Sequence, residues 1–294
     1  MKPLVSILVP AYNAEKWIGH TLQSAIAQTW PRKEIIVVDD ESTDRTGEIA
    51  RRFASKNVLI LSKQNEGAAA ARNHALRFSQ GDYVQWLDAD DVLAPDKIEN
   101  QLAALCEGSD DCRTLLSCAW ANFDHQVDRA TFRPTSLWQD LSPIEWLTHR
   151  MSENLYMQTA TWLTSRELTN AAGPWNPRLL SDDDVEYFCR VVLASSGTRF
   201  VPEAKVYYRN TPSLNRLSYI GESNEKKDAL LISLRLQVQH LRSIDEGEAT
   251  RRACLAYLQH SSSSFYPERP DILRELKNLA ANLQGQIDAS ELRK

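Results

Sequence analysis

The chain has 294 residues, 43% of them hydrophobic and 25% charged, and a net charge of −5. That is an ordinary globular balance, and it offers no basic surface for nucleic acid. No apolar run approaches the roughly 20 residues needed to cross a bilayer, and the start has no apolar signal-peptide region.

Val5-Ser6-Ile7-Leu8-Val9-Pro10 reads as a first strand, stopped by proline and followed by the turn Tyr12-Asn13-Ala14-Glu15. Ile18, Leu22, Ala25 and Ile26 recur at helical spacing. Glu34 to Asp40 is a second strand of branched residues, of the kind found in parallel sheets covered on both faces. Ser42-Thr43-Asp44 caps a helix carrying Ile49 and Phe53, and Val58 to Leu61 is a third strand. Asn65-Glu66-Gly67 then turns into the alanine-rich helix Ala68 to Ser79. Tyr83 to Leu87 is a fourth strand, and it runs straight into Asp88-Ala89-Asp90-Asp91. Pro95 opens a further helix with Ile98, Leu102 and Leu105 on one face. This alternation predicts a doubly wound, mostly parallel α/β sheet.

Beyond residue 110 the alternation weakens. Thr114 to Phe123 reads as a strand, 125–160 as a polar and aromatic excursion with a short helix, and Thr159 to Leu163 as a returning strand. Asp182-Asp183-Asp184 opens a helix, where carboxylates also serve as caps. Phe200 to Pro202 and Val206 to Arg209 are short strand candidates. From about residue 220, Leu231, Leu234, Val238 and Leu241 form one helical stripe, and Ile272, Leu276, Leu279 and Leu283 another. These stripes suit packing against the main domain, with a membrane surface or a second copy of the chain as the alternatives. The expected division is 1–110, 111–219 and a helical extension 220–294. The five cysteines lack CxxC spacing; Cys106, Cys112 and Cys118 stand six apart, which fits no zinc pattern. Reduced thiols in a cytoplasmic protein are the simplest reading.

Ligands bind at the carboxyl ends of parallel strands. Pro10 to Asn13, Asp39 to Ser42, Lys63 to Gly67 and Asp88 to Asp91 therefore share one edge. Carboxylates as close as Asp88, Asp90 and Asp91 repel one another unless a cation lies between them, and hard oxygen ligands suit Mg²⁺ or Mn²⁺ with phosphate oxygens completing the shell. The alternative is a solvated acidic turn with Asp91 as a helix cap. The helix start at Gly67 can receive negative charge, with Arg72 one turn in, although a surface arginine is the simpler reading of Arg72 alone. Asp40 can accept hydrogen bonds from a base or ribose. With neither GxxxxGK[ST] nor GxGxxG present, the set reads as a nucleotide-diphosphate pocket without a P-loop.

The segments Val9-Pro10-Ala11-Tyr12-Asn13, Val37 to Asp44, Asn65-Glu66-Gly67-Ala68 to Asn73 and Leu87 to Asp91, in that order, resemble the family 2 glycosyltransferases over roughly the first 210 residues. The resemblance implies a GT-A fold and inverting transfer of a sugar from a nucleotide donor, with a UDP-sugar the usual case. It places Pro10, Ala11, Tyr12 and Asn13 along the nucleoside, Asp40 on the base, and Arg72 on the nucleotide. Asp88 falls on ribose or sugar, and Asn65, Gly67, Ala89 and Asp90 also fall in the donor set. Asp90 and Asp91 belong to the family's metal-binding DxD region, implying Mn²⁺ or Mg²⁺. The family's later acidic pair falls on Asp183-Asp184 ahead of Arg190, which makes Asp184 the candidate general base and leaves Asp182 and Asp183 as rivals.

Three positions depart from the pattern: Glu41 stands where glycine is usual, Asp183 where glutamate is usual, and Asn210-Thr211 where a histidine is often found. Trp162 and Trp175 flank the acidic helix and are the aromatic candidates for stacking on an acceptor sugar, core packing being the default. The expected partners are a nucleotide-sugar and a glycan-type acceptor, soluble or lipid-linked. That places the reaction in the cytoplasm or at the inner face of a membrane. A nucleotidyltransferase, or a binding protein that kept the fold and lost catalysis, are the competing readings.

Overall fold

The computed structural model describes residues 2–106, 111–211 and 223–288; the expected boundary at 219/220 lies outside them. In chain order the elements are β1 (Val5–Ala11), α1 (Ile18–Ile26), β2 (Lys33–Asp39), α2 (Thr46–Arg51), β3 (Val58–Ser62), α3 (Ala68–Phe78), β4 (Tyr83–Trp86), β5 (Val92–Leu93), α4 (Lys97–Cys106), β6 (Thr114–Phe123) and β7 (Thr131–Phe132). The remainder comprises α5 (Pro143–Ser152), β8 (Thr164–Ser165), α6 (Arg166–Ala172), α7 (Asp183–Ala194), β9 (Gly197–Arg209), α8 (Asn224–Arg242), α9 (Glu248–Ser262) and α10 (Pro270–Asn282).

The first sheet has the order β3-β2-β1-β4-β8. Its first four strands are parallel, and only β8 runs the other way. The unbroken apolar strands feed two cores, because neighbouring side chains leave opposite faces. Leu8, Ile36 and Val38 join one cluster, while Val5, Ile7, Val9, Ile35 and Val37 join the other. Helices α1, α2 and α4 cover the second face, with Leu22, Ala50 and Ile98 buried there.

A second sheet, β5-β9-β6-β7, was not foreseen from the sequence. The two expected short strands near residues 200 and 206 are one 13-residue strand, β9, whose pairing with parallel β6 slips between Cys118 and Ala119. The returning strand expected over Thr159 to Leu163 is instead a 3₁₀ turn at Thr159–Thr161, with β8 only two residues long. Four cysteine side chains, those of Cys112, Cys118, Cys189 and Cys254, are free thiols.

The C-terminal helices complete the first core. Leu231, Leu234, Val238 and Leu241 of α8 are buried, as are Ile272 and Leu276 of α10 and Leu283 just beyond it. They share a continuous cluster with Trp86, Trp162, Trp175 and Tyr187. The two stripes thus pack largely inside the chain, Leu279 being partly buried. Among the described residues no helix is long and apolar enough to cross a membrane.

Leu234 is 0% exposed. Leu234→Ala is expected to cost about 2–5 kcal/mol in urea denaturation. Tryptophan fluorescence and far-UV circular dichroism should report the same single transition; a separate early loss of helix would show that α8–α10 form a unit of their own.

Candidate active site

The four strand ends of the first sheet converge as the parallel topology requires, and the loops after β1, β2 and β3 are knit together by their own side chains. Asn13, at φ +49°, donates its backbone N–H to Ser42 Oγ (3.0 Å) and accepts from Thr43 N at Oδ1 (2.9 Å). Tyr12 beside it is half exposed. Asp40 is only 3% exposed. Its Oδ1 accepts from Lys63 Nζ (2.8 Å) and Glu66 N (3.3 Å), and its Oδ2 accepts from Gly67 N (2.9 Å). Three of the four or so acceptor positions of that carboxylate are thus occupied, leaving one at Oδ2. Gly67 has φ +90° and ψ 169°, where a Cβ would be strained, and α3 starts immediately after it. Asn65 N donates to Glu41 Oε2 (3.1 Å).

The acidic turn is clamped between the two sheets. Strand β4 feeds it, and β5 immediately beyond pairs with β9, Val92 opposite Tyr207. Thr21 Oγ1 of α1 lies 2.9 Å from the carbonyl oxygens of both Ala89 and Asp91. Arg209 donates through Nε to the Asp90 carbonyl (2.8 Å) and lies between the rings of Trp17 and Phe123, 4.6 and 4.4 Å from their centroids. Asp91 is 0% exposed. Its Oδ1 accepts from Arg209 N (3.0 Å), and its Oδ2 accepts from Gln158 Nε2. Burial, with Asp90 and Asp88 nearby, pushes its carboxyl well above the usual range. Asp91, expected to ligate a metal, carries one hydrogen bond on each carboxylate oxygen, and these fasten the turn to β9 and to the Gln158 loop.

Arg72 is nearly fully buried and reaches in two directions. Nη2 donates to Asp88 Oδ1 (2.8 Å) and Nη1 to Asp183 Oδ2 (2.6 Å). Its guanidinium lies on the Trp175 ring, 4.3 Å from the centroid. Burial opposes its charge, but Asp183 and Asp88 hold it more firmly protonated than an ordinary arginine.

The acidic triplet separates. Asp182 turns to α8, accepting at Oδ2 from Ser233 Oγ (2.6 Å) and Gln237 Nε2 (3.0 Å). Burial pushes its carboxyl up to about 7 against the pull of Arg150. Asp183 is buried on Arg72, and burial raises its carboxyl against that pairing. Asp184 is partly open, as is Asp182, and the Asp184 Oδ2 accepts from Tyr156 Oη (2.9 Å) and Thr159 Oγ1 (3.3 Å).

Trp162 and Trp175, the aromatic candidates for an acceptor sugar, are both 0% exposed. Trp162 stacks on Phe188 (5.3 Å, 24°), and Trp175 is held between Arg72 and Tyr187 (4.0 Å, 7°). The accessible aromatic beside the acidic pair is Tyr156, 39% exposed and edge-on to Trp120, which is in turn edge-on to Tyr208. Nothing local in the polar stretch around residue 156 marks that role. Lys63, which partners Asp40, had only its place at a strand end to mark it.

Among the described residues no cluster of three or more His, Cys, Asp and Glu side chains forms a metal cage. The turn instead offers the carboxylates of Asp90 and, beside its bond to Arg72, Asp88. One or two hard oxygen donors suit Mg²⁺ or Mn²⁺ that takes its remaining ligands from phosphate and water.

Residues 6–127 match the sequence profile of Glycosyl transferase family 2. The putative teichuronic acid biosynthesis glycosyltransferase TuaG of Bacillus subtilis is 43% identical over 111 residues, 37% of this chain and 44% of that protein. The UDP-Glc:alpha-D-GlcNAc-diphosphoundecaprenol beta-1,3-glucosyltransferase WfaP of Escherichia coli is 41% identical over 100 residues, 34% of this chain and 40% of that one. Chondroitin synthase of Pasteurella multocida is 27% identical over 278 residues, 94% of this chain and 28% of the synthase. The matched stretches thus span less than half of these relatives. S. aureus TarS, solved with UDP-GlcNAc, superposes with a TM-score of 0.75 at 20% identity, covering 95% of this chain and 80% of that one. The mannosyltransferase PcManGT of Pyrobaculum calidifontis, solved with GDP-Man and Mn²⁺, superposes with a TM-score of 0.58 at 22% identity, covering 99% and 79%. The fold is GT-A, and residues 6–127, which carry the strand ends and the acidic turn, match glycosyl transferase family 2.

Proposed function

We propose that the chain is an inverting glycosyltransferase that moves a sugar from a nucleotide-diphosphate donor, a UDP-sugar, to a hydroxyl of a glycan-type acceptor. The observation that carries this reading is the double grip of Arg72. It ties Asp88 of the donor-side turn to Asp183, the immediate neighbour of Asp184. The donor loop and a part-open carboxylate are thereby held together in one place. WfaP is named for transfer from UDP-Glc, and TarS binds UDP-GlcNAc, which supports a uridine donor.

In this reading Pro10 to Asn13, Asp40 and the Asn65–Gly67 turn receive the nucleoside, the remaining acceptor position on Asp40 Oδ2 taking an N–H of the base. Asp90, assisted by Asp88, would hold Mn²⁺ or Mg²⁺, and such an ion when bound stabilises negative charge on the departing diphosphate. Asp184 takes the proton of the acceptor hydroxyl. The hydroxyl oxygen bonds to the anomeric carbon from the face opposite the diphosphate, and the bond to the diphosphate breaks with its electron pair leaving on the phosphate oxygen. Tyr156 and Thr159 orient the Asp184 carboxylate, and the acceptor hydroxyl takes the place of one of them.

Thermal shift with UDP, GDP, CDP and TDP tests the pocket. UDP with Mn²⁺ is expected to stabilise the protein by about 2.7 kcal/mol at a hundredfold excess over its Kd. EDTA or Asp90→Ala should remove most of that gain, and preference for another nucleotide would overturn the uridine assignment. Asp184→Asn tests the base: UDP binding persists, while UDP release from UDP-Glc or UDP-GlcNAc falls by about 10²–10⁴-fold. Arg72→Ala is expected to cost about 3–5 kcal/mol of stability, because it strands Asp183 in the interior.

A further inference from the structure

Asp182 stands at φ +58° and ψ +22° immediately before α7, with no side-chain bond to that helix's own first turn. A left-handed residue with a Cβ is unfavourable, and an aspartate at a helix start ordinarily turns onto the first free N–H groups. Here its carboxylate is held from outside. Ser233 Oγ reaches its carboxylate at 2.6 Å and lies 3.2 Å from its carbonyl oxygen, and Gln237 Nε2 reaches the same carboxylate oxygen at 3.0 Å. Ser233 and Gln237 lie one turn apart on α8, both fully buried, with Gln237 Nε2 2.8 Å from Ser233 Oγ. Arg150 of α5 braces them from behind. It donates through Nη1 to Gln237 Oε1 (2.7 Å) and through Nη2 to Tyr257 Oη of α9 (3.0 Å). Two further contacts fasten the same turn to α8: Ser181 Oγ donates to the Lys226 carbonyl (2.9 Å), and His240 Nε2 lies 3.2 Å from Glu186 Oε1.

We propose that Ser233 and Gln237 are positioning residues for the reaction: by holding Asp182 they fix the direction in which Asp184 leaves the first turn of α7. The inference rests on Asp184 being the base, as proposed above. Neither residue touches substrate. Released from α8, Asp182 is free to return to an ordinary capping conformation. The first turn of α7 would then rotate, and Asp184 with it. A displacement of about 1 Å at a reacting group costs on the order of 10²-fold in rate. Helix α8 lies beyond residues 6–127, so the C-terminal helices supply what the matched segment lacks.

The test uses the full chain with Mn²⁺, measuring UDP released from UDP-Glc or UDP-GlcNAc with water as acceptor, and UDP affinity by calorimetry. Ser233→Ala is expected to lower kcat by roughly 10-fold or more with UDP affinity unchanged. Ser233→Thr, which keeps the hydroxyl, should retain kcat. Asp182→Gly, which accepts the left-handed backbone without the tether, should behave like Ser233→Ala; where it does not fold, Ser233→Ala against Ser233→Thr decides. Wild-type kcat in Ser233→Ala, or equal losses in Ser233→Ala and Ser233→Thr, would overturn the inference. So would a parallel loss of UDP affinity and kcat, the mark of a purely structural role. Asp184→Asn, assayed alongside, separates the two claims: full activity there sinks the base assignment itself, whereas its inactivity beside an active Ser233→Ala sinks only the positioning role.

Discussion

A single guanidinium keeps the two halves of this site in register. Arg72 grips Asp88, 16 residues away, and Asp183, 111 residues away, while its flat face lies on Trp175. Trp175 in turn stacks on Tyr187 of α7, so the acidic helix, the tryptophan and the turn at Asp88 share one packed unit. Arginine suits this position because its charge is permanent and its donors form a planar fork that serves two carboxylates at once. A lysine offers a point charge and no plane to stack. Burying Arg72 and Asp183 together, with Asp88 part-buried beside them, is costly in desolvation, so the arrangement is better understood as fixing geometry than as adding stability.

The fate of the three consecutive aspartates follows from backbone geometry. Successive residues on a helix leave its axis about 100° apart. Asp183 and Asp184 therefore cannot share a direction, and Asp182 lies in the left-handed region before the helix begins. One faces Arg72, one Tyr156, one the C-terminal helices. Their environments follow: buried against Arg72, hydrogen-bonded by hydroxyls, and tethered to Ser233 and Gln237.

Much of the first half was legible because its signals are local. Unbroken apolar strands specify a sheet covered on both faces, and their carboxyl ends mark the binding edge. The second sheet was not legible, since its two long strands, β6 and β9, pair residues about 85 positions apart, such as Thr114 with Gly197. The aspartates at 88–91 could be recognised as a cluster, but not divided into roles. That Asp91 is a fastener depends on Arg209 and Gln158, neither of which is near in sequence. Trp162 and Trp175 flank the acidic helix along the chain and yet lie beneath it; proximity in sequence says nothing about which side of a helix faces the core.

Glu41 shows how a departure from the family pattern can be absorbed. Its φ of +59° is the conformation that makes glycine usual at such a turn, and a side chain there carries a backbone cost on the order of 1 kcal/mol. The carboxylate gives something back by accepting from Asn65 N. The adjacent Asp40 holds Glu66 N and Gly67 N of the same segment. Two neighbouring carboxylates at the end of β2 therefore anchor successive amides of the loop that starts α3, one inside the protein and one at its surface. A glycine would relax the turn and lose one of those anchors. The substitution exchanges backbone ease for a second tether on the loop that presents Gly67, and through α3 on the helix that carries Arg72.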